Sequence, residues 1–236
     1  MTIPSETEWV LVACGLIAHA DGNLDGAEAE RLLSLIDDRI PAEDYADALA
    51  LIADQRALEA RYAALPDPPA DQHRALLEEV WTMAMVDGSR DTPELLILAR
   101  LAERLGVEPV QLEFWREAWT RAEREFAERV AELAGYCLGA GEPLFEDDHS
   151  PFLDLVERLP ASLEERERLA TMAHATPSDG GVIGRALAAT PRARRLEAFR
   201  LVAPLIRNSV DAEAAKERFS FVASAAGFFD IAVIER

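Results

Sequence analysis

The pattern D-G-x-x-D-x-x-E occurs twice, at Asp21-Gly22-Asn23-Leu24-Asp25-Gly26-Ala27-Glu28 and at Asp87-Gly88-Ser89-Arg90-Asp91-Thr92-Pro93-Glu94, with first residues 66 positions apart. Each copy has an alanine three residues before its first Asp (Ala18, Ala84), an apolar helical run before that and another after its Glu. The carboxylates are therefore expected in turns between paired helices. Gly22 and Gly88 stand where a helix commonly stops in a left-handed residue. Asp25 and Asp91 can accept a backbone N–H as the next helix begins, and Glu28 and Glu94 complete a capping-box arrangement.

Capping alone is worth ~1 kcal/mol per helix and needs no ligand. It accounts for two of the three acids in each copy. Asp21 and Asp87 are expected in the last turn of the preceding helix, where the macrodipole disfavours a carboxylate by ~0.3–1 kcal/mol. A cation would compensate them, and carboxylate oxygens grouped with turn carbonyls suit Ca²⁺ or Mg²⁺ rather than Zn²⁺. The first copy places Asp21, Asn23, Asp25 and Gly26 at EF-hand loop positions one, three, five and six, but position twelve is Leu32. The bidentate Glu that closes an EF-hand is missing.

The segments Ala18-His19-Ala20-Asp21-Gly22 with Glu28, and Ala84-Met85-Val86-Asp87-Gly88 with Glu94 followed by Leu101-Ala102-Glu103-Arg104-Leu105-Gly106-Val107, resemble the TerB-like (tellurite resistance) helical domains. Such domains also occur in membrane-anchored DnaJ-like co-chaperones. The resemblance covers about residues 8–120. It implies an all-α fold with two helix-turn-helix motifs per domain and an acidic site for a divalent cation at Asp21, Asp25, Glu28, Asp87, Asp91 and Glu94. It also implies a stress-response type of role exercised through a protein partner, and it supplies no reaction.

Composition is consistent with this. Runs of β-branched residues with period two are rare, and Pro and Gly cluster at breaks, so the class is all-α. A formal net charge of −20 over 236 residues argues against binding duplex nucleic acid or an anionic membrane surface. Residues 1–120 carry 24 acids against 9 arginines, a net of −15; residues 121–236 carry 20 acids against 15 Lys and Arg, a net of −5. The half with the motifs is the acidic half. A single lysine, Lys216, against 23 arginines points to a GC-rich, bacterial coding bias. Cys14 and Cys137 lie in apolar runs and are expected buried and reduced. The start MTIPSETEWV lacks the features of a signal peptide, and no stretch reaches the ~20 apolar residues of a membrane span. A cytoplasmic protein is expected. Ser5 with Glu8 reads as a capping box opening the first helix.

Sliding the sequence on itself by about 120 residues aligns Gly15–Asp21 with Gly135–Gly141 and, after a one-residue slip, Arg39-Ile40-Pro41-Ala42 with Arg158-Leu159-Pro160-Ala161. Two tandem domains are therefore expected, 1–120 and a degenerate copy at 121–236, joined by a long helix. In the second half the acids Glu142, Glu146, Asp147 and Asp148 are displaced, and Arg207 falls where the first half has Asp87. A guanidinium at a helix C-terminus satisfies the dipole without an ion. Helices are expected at about 6–20, 26–38, 42–63, 71–86, 92–105, 109–139, 148–158, 162–174, 183–189, 192–206, 212–226 and 228–234. Leu112, Trp115, Trp119, Ala122, Phe126, Val130 and Leu133 form one apolar stripe along the helix from Pro109, which assigns both tryptophans to a core rather than to a binding surface.

His19, His73, His149 and His174 form no H-x-x-x-H or His-Asp doublet, so zincin and HD-type hydrolase readings lack their ligands. Glu146-Asp147-Asp148-His149 supplies one Glu-x-x-His, where a di-iron bundle needs two. No G-x-S-x-G, phosphate loop or G-x-G-x-x-G is present. The basic run Arg192–Arg207 is either a helix face paired with Glu or a site for an acidic or phosphorylated partner. Two functions remain open: a non-enzymatic module that binds a divalent cation and a protein partner, and a metal-independent adaptor whose acids are caps. A metal-dependent hydrolase is a distant third, since it needs a general base and a pocket that no motif specifies.

Overall fold

The structure, a computed structural model, describes residues 3–22, 24, 26–139, 142–174 and 179–229. Among them every regular element is helical: α1 (Ser5–Ala18), α2 (Gly26–Arg39), a 3-10 turn (Ala42–Asp44), α3 (Tyr45–Ile52), α4 (Gln55–Ala64), α5 (His73–Met83), α6 (Thr92–Arg104), α7 (Pro109–Gly139), α8 (Glu146–Glu157), α9 (Leu163–Ala170), a second 3-10 turn (Thr171–His174), α10 (Gly180–Ala188), α11 (Arg192–Asn208) and α12 (Ala212–Ala225). The all-α expectation holds. No described helix is long and apolar enough to cross a membrane.

Two compact units divide the chain, Met1–Arg121 and Ala122–Arg236. In the first, α1 is the axis. Its residues from Trp9 to Ala18 are all buried, which fits a helix that is apolar on every side and so must be covered on every side. The helices α2, α4, α5 and α6 surround it. Gly15 allows the close approach of α4, because a Cβ there would stand 2.9 Å from a methyl of Leu58. Trp119 is 2% exposed and packs against Trp81 and Trp115 at centroid distances of 6.3 and 5.9 Å. Both α7 tryptophans thus serve the core, as the stripe predicts.

The second unit is built around the later part of α7, where Val130, Ala131, Leu133, Ala134, Cys137 and Leu138 are buried. Phe199 of α11 meets Phe219 and Phe228 edge-on. α10 lies tightly on α12, with Gly184 against Ala225 and the Val222 carbonyl. Cys14 and Cys137 are free and buried, and burial raises both thiols well above their ordinary range.

Several expectations need correction. The helix predicted over 42–63 is broken, because Asp54 accepts the Arg56 amide at 2.9 Å and starts α4 afresh. Ser5 and Glu8 form no capping box. Pro4 is the N-cap without a side-chain bond, and Glu8 is buried against Arg61 instead. The stretch 162–174 is α9 followed by a 3-10 turn. Phe228 and Phe229 are not helical, and the rest of the helix expected at 228–234 lies outside the described residues.

Candidate functional site

The first acidic turn follows α1. The helix ends at Ala18, the His19 amide still bonds back to the Gly15 carbonyl, and Gly22 closes the turn on the His19 carbonyl at 3.1 Å with φ of 90°. The turn is braced from outside. The His19 ring meets the Ile52 carbonyl through Nε2 at 2.8 Å, and Gln55 donates to the His19 carbonyl at 3.2 Å. His19 is therefore a satisfied structural histidine. Asn23 and Asp25 lie outside the described residues, so the expected capping role of Asp25 is not among the structural findings.

The second turn has the same backbone. α5 ends at Met83, and Gly88 bonds to the Met85 carbonyl at 3.0 Å with φ of 91°. A side chain at either glycine would meet the left-handed penalty that favours glycine there. Asp87 accepts the Ser89 amide at 2.9 Å. Asp91 caps α6, and Glu94 returns the bond, its Oε2 accepting the Asp91 amide at 2.7 Å. The predicted capping box at Asp91 and Glu94 is thus present. Arg90, which the sequence reading did not single out, folds back from this turn. It donates to the Trp81 carbonyl from Nε (3.1 Å) and Nη2 (2.9 Å), with its guanidinium carbon 3.6 Å from the Trp81 ring centre.

One expectation about these turns fails. Asp21 and Asp87 are not in the last turn of a helix; they stand three and four residues beyond α1 and α5. The macrodipole argument for a compensating cation therefore loses most of its force. A different electrostatic cost takes its place at Glu94. This residue is 8% exposed, whereas Asp21, Asp87 and Asp91 are exposed and Glu28 is half-buried. Burial, followed by the charges of Asp87, Glu28 and Asp91, pushes the Glu94 carboxyl up to about 7 against the pull of its hydrogen bond from Asp91. The influence of Glu28 matters here: it places the acid of the first turn within electrostatic reach of the acid of the second.

The donor set at these turns is oxygen only, which suits a hard divalent cation. Among the described residues, however, no three His, Cys, Asp or Glu are gathered into a group able to hold a metal ion. The carboxylates Glu28, Asp87, Asp91 and Glu94 share one field without converging into a ligand cage, and Asp91 and Glu94 are engaged in capping.

In the second unit a buried acid joins two elements by hydrogen bonds. Asp148, 3% exposed, accepts Ser209 Oγ and the Val210 amide, both at 3.1 Å. Asp211 then caps α12 through the Ala214 amide at 3.4 Å. Arg207 does occupy the last turn of α11, exposed, but the turn is clasped by Asp148 rather than by a guanidinium. Two arginines of the basic run have partners in their own unit: Arg194 pairs with Glu197 at 3.3 Å, and Arg195 donates to the Ala226 carbonyl and lies by the Phe228 ring.

Residues 7–117 match the family described as Tellurite resistance protein TerB. No curated protein and no solved structure matches the chain.

Proposed function

Residues 7–117 form a TerB-like domain, and from that premise we propose that the chain is a non-enzymatic helical module of the tellurite-resistance type whose acidic turns take up a divalent cation. Ca²⁺ is preferred over Mg²⁺, because irregular turn geometry suits the more adaptable ion. The residues that would hold it are Asp21, Asp25, Glu28, Asp87, Asp91 and Glu94. Cation uptake would relieve their mutual repulsion and draw the two hairpins together, and the surface so set would be offered to a protein partner in the cytoplasm of a bacterial cell under stress.

The observation that carries this reading is Glu94. A carboxyl largely withdrawn from water and raised to about 7 by burial and three neighbouring acids gains more from a cation than a solvated carboxylate does. Calorimetric titration of the full chain with Ca²⁺ and Mg²⁺, repeated on Asp87→Ala and Glu94→Gln, tests it. The expected result is Ca²⁺ binding that both variants weaken. Absence of binding to the wild-type protein overturns it.

The Asp91–Glu94 capping box favours a second reading, a metal-independent adaptor whose acids only start helices. That reading expects a melting temperature indifferent to Ca²⁺ and to chelator.

The second unit is, on the same proposal, a degenerate copy of the first. Its support is the order of elements. α8, α11 and α12 begin 120, 119 and 120 positions after α2, α5 and α6. The C-terminal bends match as well: the Val107 amide bonds to the Ala102 carbonyl at 2.9 Å, and the Phe228 amide to the Ala223 carbonyl at 2.8 Å. In this copy the clasp of Asp148 on Ser209 and Val210 does by hydrogen bonding what a cation does between the acidic turns.

A further inference from the structure

His149 lies in the first turns of α8 and His174 ends the 3-10 turn after α9, yet their Nε2 atoms are 3.2 Å apart and their ring centres 4.9 Å apart. The two segments are tied just beside the rings, where the Leu144 amide donates to the Ala173 carbonyl at 3.0 Å. One backbone bond thus links the two segments, and the pair sits at the surface, with His174 exposed. None of this belongs to the acidic turns of the first unit.

We propose that His149 and His174 form a binding site for a borderline divalent ion of the zinc type, bridged between their Nε2 atoms. Two nitrogens each about 2.0–2.1 Å from a tetrahedral ion stand about 3.3 Å apart, which the observed separation matches. The ring placement departs from that of a straight N–H···N bond. A straight hydrogen bond at this N···N distance would put the ring centres about 5.5 Å apart, whereas two rings aimed at one tetrahedral ion lie about 5.1 Å apart. The observed 4.9 Å falls on the side of the bent arrangement. Imidazole nitrogens select Zn²⁺, Ni²⁺ or Cu²⁺ over the hard ions proposed for the first unit, so the two sites differ in chemistry as well as in place. With two protein ligands, the remaining positions of the ion stay open to water or to donors of an incoming molecule.

The test is titration of the metal-free full chain with Zn²⁺ in excess Mg²⁺, which occupies oxygen sites. The expected result is one Zn²⁺ per chain, weakened at least about tenfold by His149→Ala or by His174→Ala and abolished in the double variant. Thermal melts in chelator should be alike for all four proteins, because the rings are at the surface; added Zn²⁺ should raise the melting temperature of the wild type only. A wild-type protein that takes no Zn²⁺, or a double variant that binds it with wild-type affinity, overturns the assignment and leaves a hydrogen-bonded histidine pair. Neither outcome bears on Ca²⁺ at the acidic turns.

Discussion

Arg61 closes on Glu8 through two hydrogen bonds, Nε to Oε1 at 2.6 Å and Nη2 to Oε2 at 2.7 Å, and so ties α4 to the buried axis α1. Glu8 is 5% exposed while the arginine side chain still meets solvent. Planar bidentate pairing is the geometry in which arginine cannot be replaced by lysine without loss.

Replacing Arg61 with leucine strands the Glu8 charge inside the first unit. The expected loss is about 2 kcal/mol, below the 3–5 kcal/mol of a fully buried pair because water reaches one partner. Adding Glu8→Gln should restore part of it. All four tryptophans, at positions 9, 81, 115 and 119, lie in the first unit. Urea unfolding followed by tryptophan emission therefore reads this unit alone, and an Arg61→Leu midpoint equal to the wild type would show the pair to be neutral.

Glu94 makes the stability of the first unit depend on pH in a direction opposite to ordinary acid denaturation. Its folded carboxyl titrates near 7, raised by burial and by Asp87, Glu28 and Asp91, against an ordinary value of 4.5. The folded state therefore binds the extra proton between these values, so this group's contribution is fully present below pH 4.5 and is lost as pH rises through 7. In chelator, Glu94→Gln should remove that slope, and the variant should gain on the wild type as pH climbs from 5 to 8. Melting curves by tryptophan emission across that range check it; parallel curves would place the proton elsewhere.

Asp148→Ala should weaken the second unit and spare the first. It leaves the buried Ser209 hydroxyl and the Val210 amide without their acceptor, a loss of about 2–3 kcal/mol for hydrogen bonds to a charged group. Far-UV circular dichroism should then show an early transition that tryptophan emission does not follow, and the Val210 amide should exchange faster. Asp148→Asn, which keeps one acceptor oxygen, should fall between.

Local features of the fold were legible from the residues themselves. The Asp91–Glu94 box, the left-handed Gly22 and Gly88 and the stripe that carries Trp115 and Trp119 all express spacings of a few residues, which helix geometry converts directly into contacts. Pairings across the fold were not. Glu8 looks like the end of a capping box because its partner Arg61 is 53 residues away, and the helix over 42–63 looks continuous because Asp54 is read by propensity rather than by its bond to Arg56. The candidate site divides in the same way. Its six acids were visible as a repeat, but the field that joins Glu28 to Glu94 arises only when two hairpins meet, and His149 meets His174 only across 25 residues of chain.

The burial of Trp119 sets where this chain can be cut. Family resemblance stops at residue 117, two positions short of an indole wedged against Trp81 and Trp115. A fragment trimmed to the matched segment would lose that plug and expose the greasy flank of α5. Anyone isolating the first unit should therefore carry α7 past Trp119 and accept a frayed helical tail.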